Sequence, residues 1–93
     1  MSGRGVTGPV RVALKLYASL ADYLPAEARR THRLELELPA GTTVADVIAQ
    51  RNLPLRMCHL ALVNGVFIPP GERATRTLGE GEELAIWPPI AGG

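Results

Sequence analysis

An α+β fold, one main helix packed on one face of a mixed sheet of four or five strands, is the architecture this 93-residue sequence predicts. Three observations carry the prediction. Two early segments alternate apolar and polar residues with period two. One segment repeats apolar residues at helical spacing behind a capping pair. The second half then holds three more apolar runs of strand length. At this size there is room for one core, which buries about 60–65% of the unfolded chain's surface.

Residues 1–9 are rich in Gly and read as a flexible leader, with nothing apolar enough to offset the entropy of ordering them. The domain then runs over 10–87. In its first strand Val10, Val12, Leu14 and Leu16 share one face, and Arg11, Ala13, Lys15 and Tyr17 the other. Ser19 is placed to cap a short helical turn through Tyr23, which Pro25 closes. A second strand sets Leu34, Leu36 and Leu38 against Glu35 and Glu37, and Pro39-Ala-Gly41 ends it.

Thr43 and Asp46 form a capping box with Asp in place of the usual Glu, opening a helix whose inner face is Val44, Val47 and Ile48. Leu53-Pro54 stops that helix. Met57 to Val63 is almost continuously apolar and predicts a central strand buried on both faces. Asn64-Gly65 marks a tight hairpin into Val66-Phe67-Ile68, and Pro69-Pro70-Gly71 then breaks the pairing. A polar excursion through Arg76 leads to a turn at Leu78-Gly79-Glu80-Gly81-Glu82. The last strand is Glu83-Leu84-Ala85-Ile86-Trp87, with Leu84 and Ile86 facing the core.

Ten basic and nine acidic residues give a net charge of +1, which argues against nucleic acid as the main partner. Arg29, Arg30 and Arg33 cluster, but no aromatic residues interleave with them for base stacking. No run approaches the roughly 20 apolar residues of a membrane span. With a single cysteine, Cys58, no internal disulfide forms, and a cytoplasmic location is expected. Cys58 and His59 are neighbours, but successive strand residues point to opposite faces, so they do not converge on one metal or substrate. No zinc-ligand spacing occurs, so neither a metal nor a bound cofactor is expected. Gly79 and Gly81 precede a strand, whereas a phosphate loop opens a helix. Glu80, Glu82 and Glu83 read as a solvated acidic patch beside the tail, or as a docking aid on a basic partner.

Elimination leaves the tail, 88–93. Pro88 and Pro89 favour extended backbone and lack the N–H that would continue a sheet. Six residues span at most about 20 Å at about 3.3 Å each, long enough to enter a partner's buried site. Gly92 and Gly93 have no side chains to obstruct a narrow passage or shield the α-carboxylate. That carboxylate, with an ordinary pKa near 3.5, is ionised at neutral pH and must be activated before anything attacks it. Trp87 at the tail's root either anchors a partner or packs on the sheet's own face.

Five segments together resemble the ubiquitin-like sulfur carriers of the MoaD/ThiS family over about residues 10–93. They are Val10-Arg-Val-Ala-Leu-Lys-Leu-Tyr-Ala-Ser-Leu20, Leu36-Glu-Leu-Pro-Ala-Gly-Thr-Thr-Val-Ala-Asp-Val47, Leu62-Val-Asn-Gly65, Leu78-Gly-Glu-Gly-Glu82 and Pro88-Pro-Ile-Ala-Gly-Gly93. The last is nearer in pattern to the small subunit of molybdopterin synthase than to the thiamine carrier.

The resemblance implies a β-grasp fold with the first and last strands adjacent and parallel. It also implies a carrier that is not itself an enzyme. Gly93 would bear an adenylate and then a thiocarboxylate, with ATP consumed by an E1-like adenylyltransferase/sulfurtransferase. Trp87, Pro88, Pro89, Ile90, Ala91, Gly92 and Gly93 would contact that partner and, in molybdopterin synthase, the large catalytic subunit. The sequence departs from the family pattern in Glu82, which stands where Asp is common, and in a longer, stiffer segment from Phe67 to Thr75. Sulfur carriage for thiamine or tRNA thiolation, a protein modifier joined to lysines through Gly93, and a plain interaction module are the competing expectations.

Overall fold

The computed structural model describes residues 8–89, and its five strands form one sheet in the order β2-β1-β5-β3-β4. The elements are β1 (Val10–Leu16), α1 (Ala26–Arg29), β2 (Arg33–Leu38), α2 (Val44–Gln50), β3 (Leu60–Val63), β4 (Val66–Phe67) and β5 (Glu83–Trp87). β1 pairs antiparallel with β2, and β5 lies parallel to β1 and antiparallel to β3. The expected parallel pairing of the first and last strands is therefore present. No helix among the described residues is long and apolar enough to cross a membrane.

The core lies between the sheet and α2. Leu14, Leu16, Leu84 and Ile86 from the two central strands are wholly buried, as are Val44 and Val47 from the helix. Each such side chain contributes about 1.5–3 kcal/mol of burial, so the β1–β5 seam anchors the domain.

The helix is bounded as its sequence dictates. Thr43 Oγ1 accepts from the Asp46 N–H at 3.1 Å, and Asp46 Oδ2 accepts from the Thr43 N–H at 3.0 Å, completing the box. At the other end Asn52 adopts φ 58°, Leu53 N–H donates to Ile48 O and Asn52 N–H to Ala49 O. That is a Schellman ending with Asn in the left-handed position.

Several details differ from the sequence reading. Ser19 caps nothing: the turn it was expected to open is a 3₁₀ helix over Ala18–Tyr23 whose N-cap is Tyr17. Pro25 ends that turn but also begins α1, since its fixed φ suits a helix start.

The apolar run from Met57 is not one long central strand. Leu55–Met57 form a 3₁₀ turn, and β3 begins only at Leu60, with alternate residues buried. The central strand is β5, where Leu84, Ala85 and Ile86 are all buried. A continuous apolar run does not distinguish a strand covered on both faces from a turn packed under a loop.

The stretch after β4 is no mere polar excursion. Arg73 O and Arg76 O accept from the N–H groups of Ala45 and Val44, satisfying α2's first donors, and Arg73 itself is buried.

The acidic residues around the last turn are engaged rather than free. Glu80 accepts from Arg11 N–H at 2.8 Å, and Glu83 faces Lys15 and Arg33 at 3.8 and 3.4 Å. Glu82 accepts from Gly79 N–H at 2.7 Å and pairs with Arg76 at 2.9 Å. The Arg76 hydrogen bond, followed by that from Gly79, holds the Glu82 carboxyl below the usual carboxylate range, against some desolvation.

A lowered folded pKa stabilises above the unfolded value, near 4.3, and that contribution is lost as pH falls through the folded value. Glu82→Gln should cost about 1 kcal/mol at pH 7, the partly exposed pair being screened by solvent. In urea melts the gap between wild type and variant should close below about pH 4. A gap of equal size at pH 7 and pH 3 would refute the ion pair's role.

Candidate functional site

The tail leaves the domain from the end of its central strand, and β5 is held there on both sides. Tyr17 N–H donates to Ile86 O at 3.2 Å from the β1 side, and His59 N–H donates to Trp87 O at 3.0 Å from the β3 side. Pro88 and Pro89 then offer no N–H, so pairing stops and the chain departs from the sheet. The exit point is thus fixed by backbone hydrogen bonds to two neighbouring strands.

Trp87 packs on its own sheet and remains half-buried. Its ring stacks on Tyr17 at 4.4 Å with an interplanar angle of 5°, and Tyr17 stacks in turn on His32 at 5.5 Å and 15°. Each such pair contributes about 0.5–1.5 kcal/mol beyond burial. His32 is held at φ 59°, and its Nδ1 lies 3.1 Å from Leu16 O, which fixes the outer ring of the stack. Lys15 Nζ sits 5.7 Å from the Tyr17 ring centroid. Contact with Tyr17, ahead of Glu83, raises the Lys15 pKa.

The strand registers divide the open face of the sheet into two halves. Pairing of Leu60 with Trp87, and of Leu62 with both Ala85 and Phe67, puts these five residues on the face away from α2. Leu60 and Leu62 are half-buried, and Phe67 is 50% exposed. On the β1–β2 side the same face carries Arg11, Lys15, Glu35 and Glu37, with Arg33 and Glu83 bridging. The charged half neutralises itself, and the apolar half surrounds the tail's root. A contiguous apolar patch beside an exit point is what a docking surface requires.

Of the residues singled out in the sequence, Trp87, Pro88 and Pro89 are consecutive at this root, and Pro89 is exposed. Ile90, Ala91, Gly92 and Gly93 lie outside the described residues, as do residues 1–7 of the leader. Cys58 is buried, donates from Sγ to Pro54 O at 3.4 Å, and has its thiol pKa pushed up by burial while Arg73 pulls it down. A protonated, buried thiol is a poor nucleophile. His59 is exposed and does not join it. Among the described residues no group of three or more His, Cys, Asp or Glu is placed to hold a metal.

Sequence reasoning missed Tyr17, His32, Leu60, Leu62 and Phe67 as parts of this face. Tyr17 stood on the polar side of its alternation, and only the parallel register of β1 with β5 carries it to Trp87.

The fold resembles those of several solved structures. Small archaeal modifier protein 1 of Methanosarcina acetivorans shares 24% identity at a TM-score of 0.62, over 91% of this chain and 98% of that one. Small archaeal modifier protein 1 of Haloferax volcanii shares 25% identity at 0.62, over 89% and 99%. A protein of Pyrococcus furiosus described as molybdopterin converting factor, subunit 1, shares 20% identity at 0.58, over 87% and 99%. No curated protein matches the sequence. The architecture is the ubiquitin-like β-grasp. With residues 23–93 matching the ThiS family model through to the final glycine pair, the chain belongs to the ThiS family.

Proposed function

We propose that this chain is a sulfur carrier whose working group is the α-carboxylate of Gly93. The observation that carries the reading is the family match, which runs through Gly92-Gly93. The fixed exit at Trp87 and the apolar half-face around it support the same reading, because they suit a protein that docks while its tail is handled elsewhere.

The chemistry follows from the carboxylate. Ionised, it is a poor electrophile. An E1-like adenylyltransferase/sulfurtransferase joins it to AMP from ATP and releases pyrophosphate. Hydrosulfide or an equivalent sulfur nucleophile then attacks the carbonyl carbon, a C–S bond forms, and AMP leaves with the C–O bonding pair. The product is a terminal thiocarboxylate. The chain supplies no catalytic group of its own in this sequence: the domain is the handle and Gly93 the cargo site. The Pro88-Pro-Ile-Ala-Gly-Gly93 pattern favours molybdopterin synthesis as the destination, with the large subunit of molybdopterin synthase as second partner and the pterin dithiolene as sulfur acceptor.

A second reading has its own support in the likeness to two archaeal modifier proteins. There a lysine amine, rather than sulfur, attacks the same adenylate and leaves an amide.

Incubation with a cognate activating enzyme, ATP and a sulfur donor should replace one oxygen of Gly93 by sulfur in the intact mass. Removing Gly93 should abolish that change and leave the melting temperature within about 1 °C, since a terminus outside the core buries little. Persistent failure of sulfur incorporation with the cognate enzyme would overturn the carrier reading.

Lysine conjugates that form in cells and vanish without Gly93 would establish the modifier reading. The carrier reading predicts none.

Docking is tested separately. Phe67→Asp should raise KM for adenylation about ten-fold, with kcat within two-fold and little loss of stability at this exposed site. An unchanged KM would remove the apolar half-face from the interface.

A further inference from the structure

A concave site among the described residues is distinct from both the tail's root and the open sheet face. A groove of about 790 Å³, open to solvent, lies on the helix side of the sheet. It is bounded by α2, the segment joining α2 to β3, and the turn that follows β4. Its apolar walls come mainly from Ala45, Ile48, Ala49, Leu53, Leu55 and Pro70. Leu55, on the rim, is 77% exposed.

The charged residues of this groove are both of one sign. Arg56 and Arg73 line it together with His59, and no carboxylate does. Arg73 is the informative member. It is only 8% exposed, and Nη1 and Nη2 donate to Cys58 O at 2.9 Å and His59 O at 3.4 Å. Its Nε is buried without any acceptor. The ion pairs among the described residues are Lys15–Glu83, Arg33–Glu35, Arg33–Glu83 and Arg76–Glu82, and Arg73 belongs to none of them.

Two carbonyl dipoles tie the turn to the start of β3 but leave the guanidinium charge without a counter-ion. A buried cation in that state is costly, and an anion arriving from outside relieves the cost. The apolar walls ask for an aliphatic group beside that anion. Because the groove is an open trough rather than a closed cavity, a length of polypeptide can lie along it.

We propose that this groove docks an acidic segment of a partner protein, one that sets a carboxylate next to an aliphatic side chain. The site adjoins the tail's exit, since the backbone N–H of its rim residue His59 is bonded to Trp87 O. A partner held here grips the domain from the side opposite the open face and leaves the tail free. The proposal does not depend on which chemistry occurs at Gly93.

The test is an NMR titration of the full ¹⁵N-labelled chain with a blocked pentapeptide, acetyl-Glu-Leu-Glu-Leu-Glu-amide, and with its Gln-for-Glu analogue. Shifts are expected at the amides of Ala45, Ala49, Leu55, His59 and Ala74. The Gln peptide should bind at least about five-fold more weakly. Ala49→Glu puts a carboxylate into the groove at an exposed helical position, and Arg56→Glu reverses a rim charge. Each should weaken the Glu peptide about ten-fold without altering the fold, so the test does not hang on the buried Arg73. Equal binding of the two peptides, shifts confined to the open face near Leu62 and Ala85, no shifts at millimolar peptide, or indifference to both substitutions would each overturn the proposal.

Discussion

The parallel pairing of β5 with β1 is the contact on which the rest of this structure depends. It joins the two ends of the domain, Ala13 beside Glu83 and Leu16 beside Ile86, and places the last strand between the first and the third. Parallel neighbours require a long crossover, and here it holds every element between β1 and β5. Leu14, Leu16, Leu84 and Ile86 leave no surface exposed, and α2 lies over them. The strand that ends at the tail is thus the most deeply integrated in the sheet. The tail's root is therefore anchored directly in the core.

The two ends of β5 are secured differently, and this separates structural work from functional work. At the Glu83 end, Asn64 Oδ1 accepts from Glu83 N–H at 2.8 Å and Glu83 O accepts from Asn64 N–H at 2.9 Å. Asn64 and Gly65, at φ 49° and 82°, make the two-residue turn that allows this reciprocal pair. Gly81 N–H donates to Arg11 O at 2.7 Å close by. The polar groups there are satisfied among themselves. At the Trp87 end the last rungs come from His59 and Tyr17, the two prolines cancel further pairing, and apolar rings face outward.

Local signals in the sequence were legible where a single segment determined its own conformation. The alternation of β1 and β2, the Thr43–Asp46 box, the Asn64-Gly65 turn and the short last strand all follow from neighbours in the chain. The misreadings have one cause, which is that tertiary partners decided the outcome. Met57 and Cys58 look like strand but serve as a turn that Arg73 ties down through the Cys58 carbonyl. Arg73 drew no reading of its own within the polar excursion, because nothing in its local sequence shows that it will be buried. The acidic residues near the tail seemed free because Arg11, Lys15, Arg33 and Arg76 approach them only in the folded sheet. For the site, Trp87 and the prolines were visible at once, while the face around them required the register.

The proposed carrier role asks for docking that is oriented but not tight. The division of the open face suits both demands. On the β1–β2 side the ion pairs Lys15–Glu83, Arg33–Glu83 and Arg33–Glu35 leave little net charge to offer, and exposed pairs of this kind contribute at most about 1 kcal/mol each. Attraction therefore comes from the other half, where Phe67, Leu60, Leu62 and the Tyr17–Trp87 stack lie together. Its off-centre position beside Trp87 means that a partner seated on it lies next to the tail's root, so the same rings that end the sheet would also orient the proposed docking.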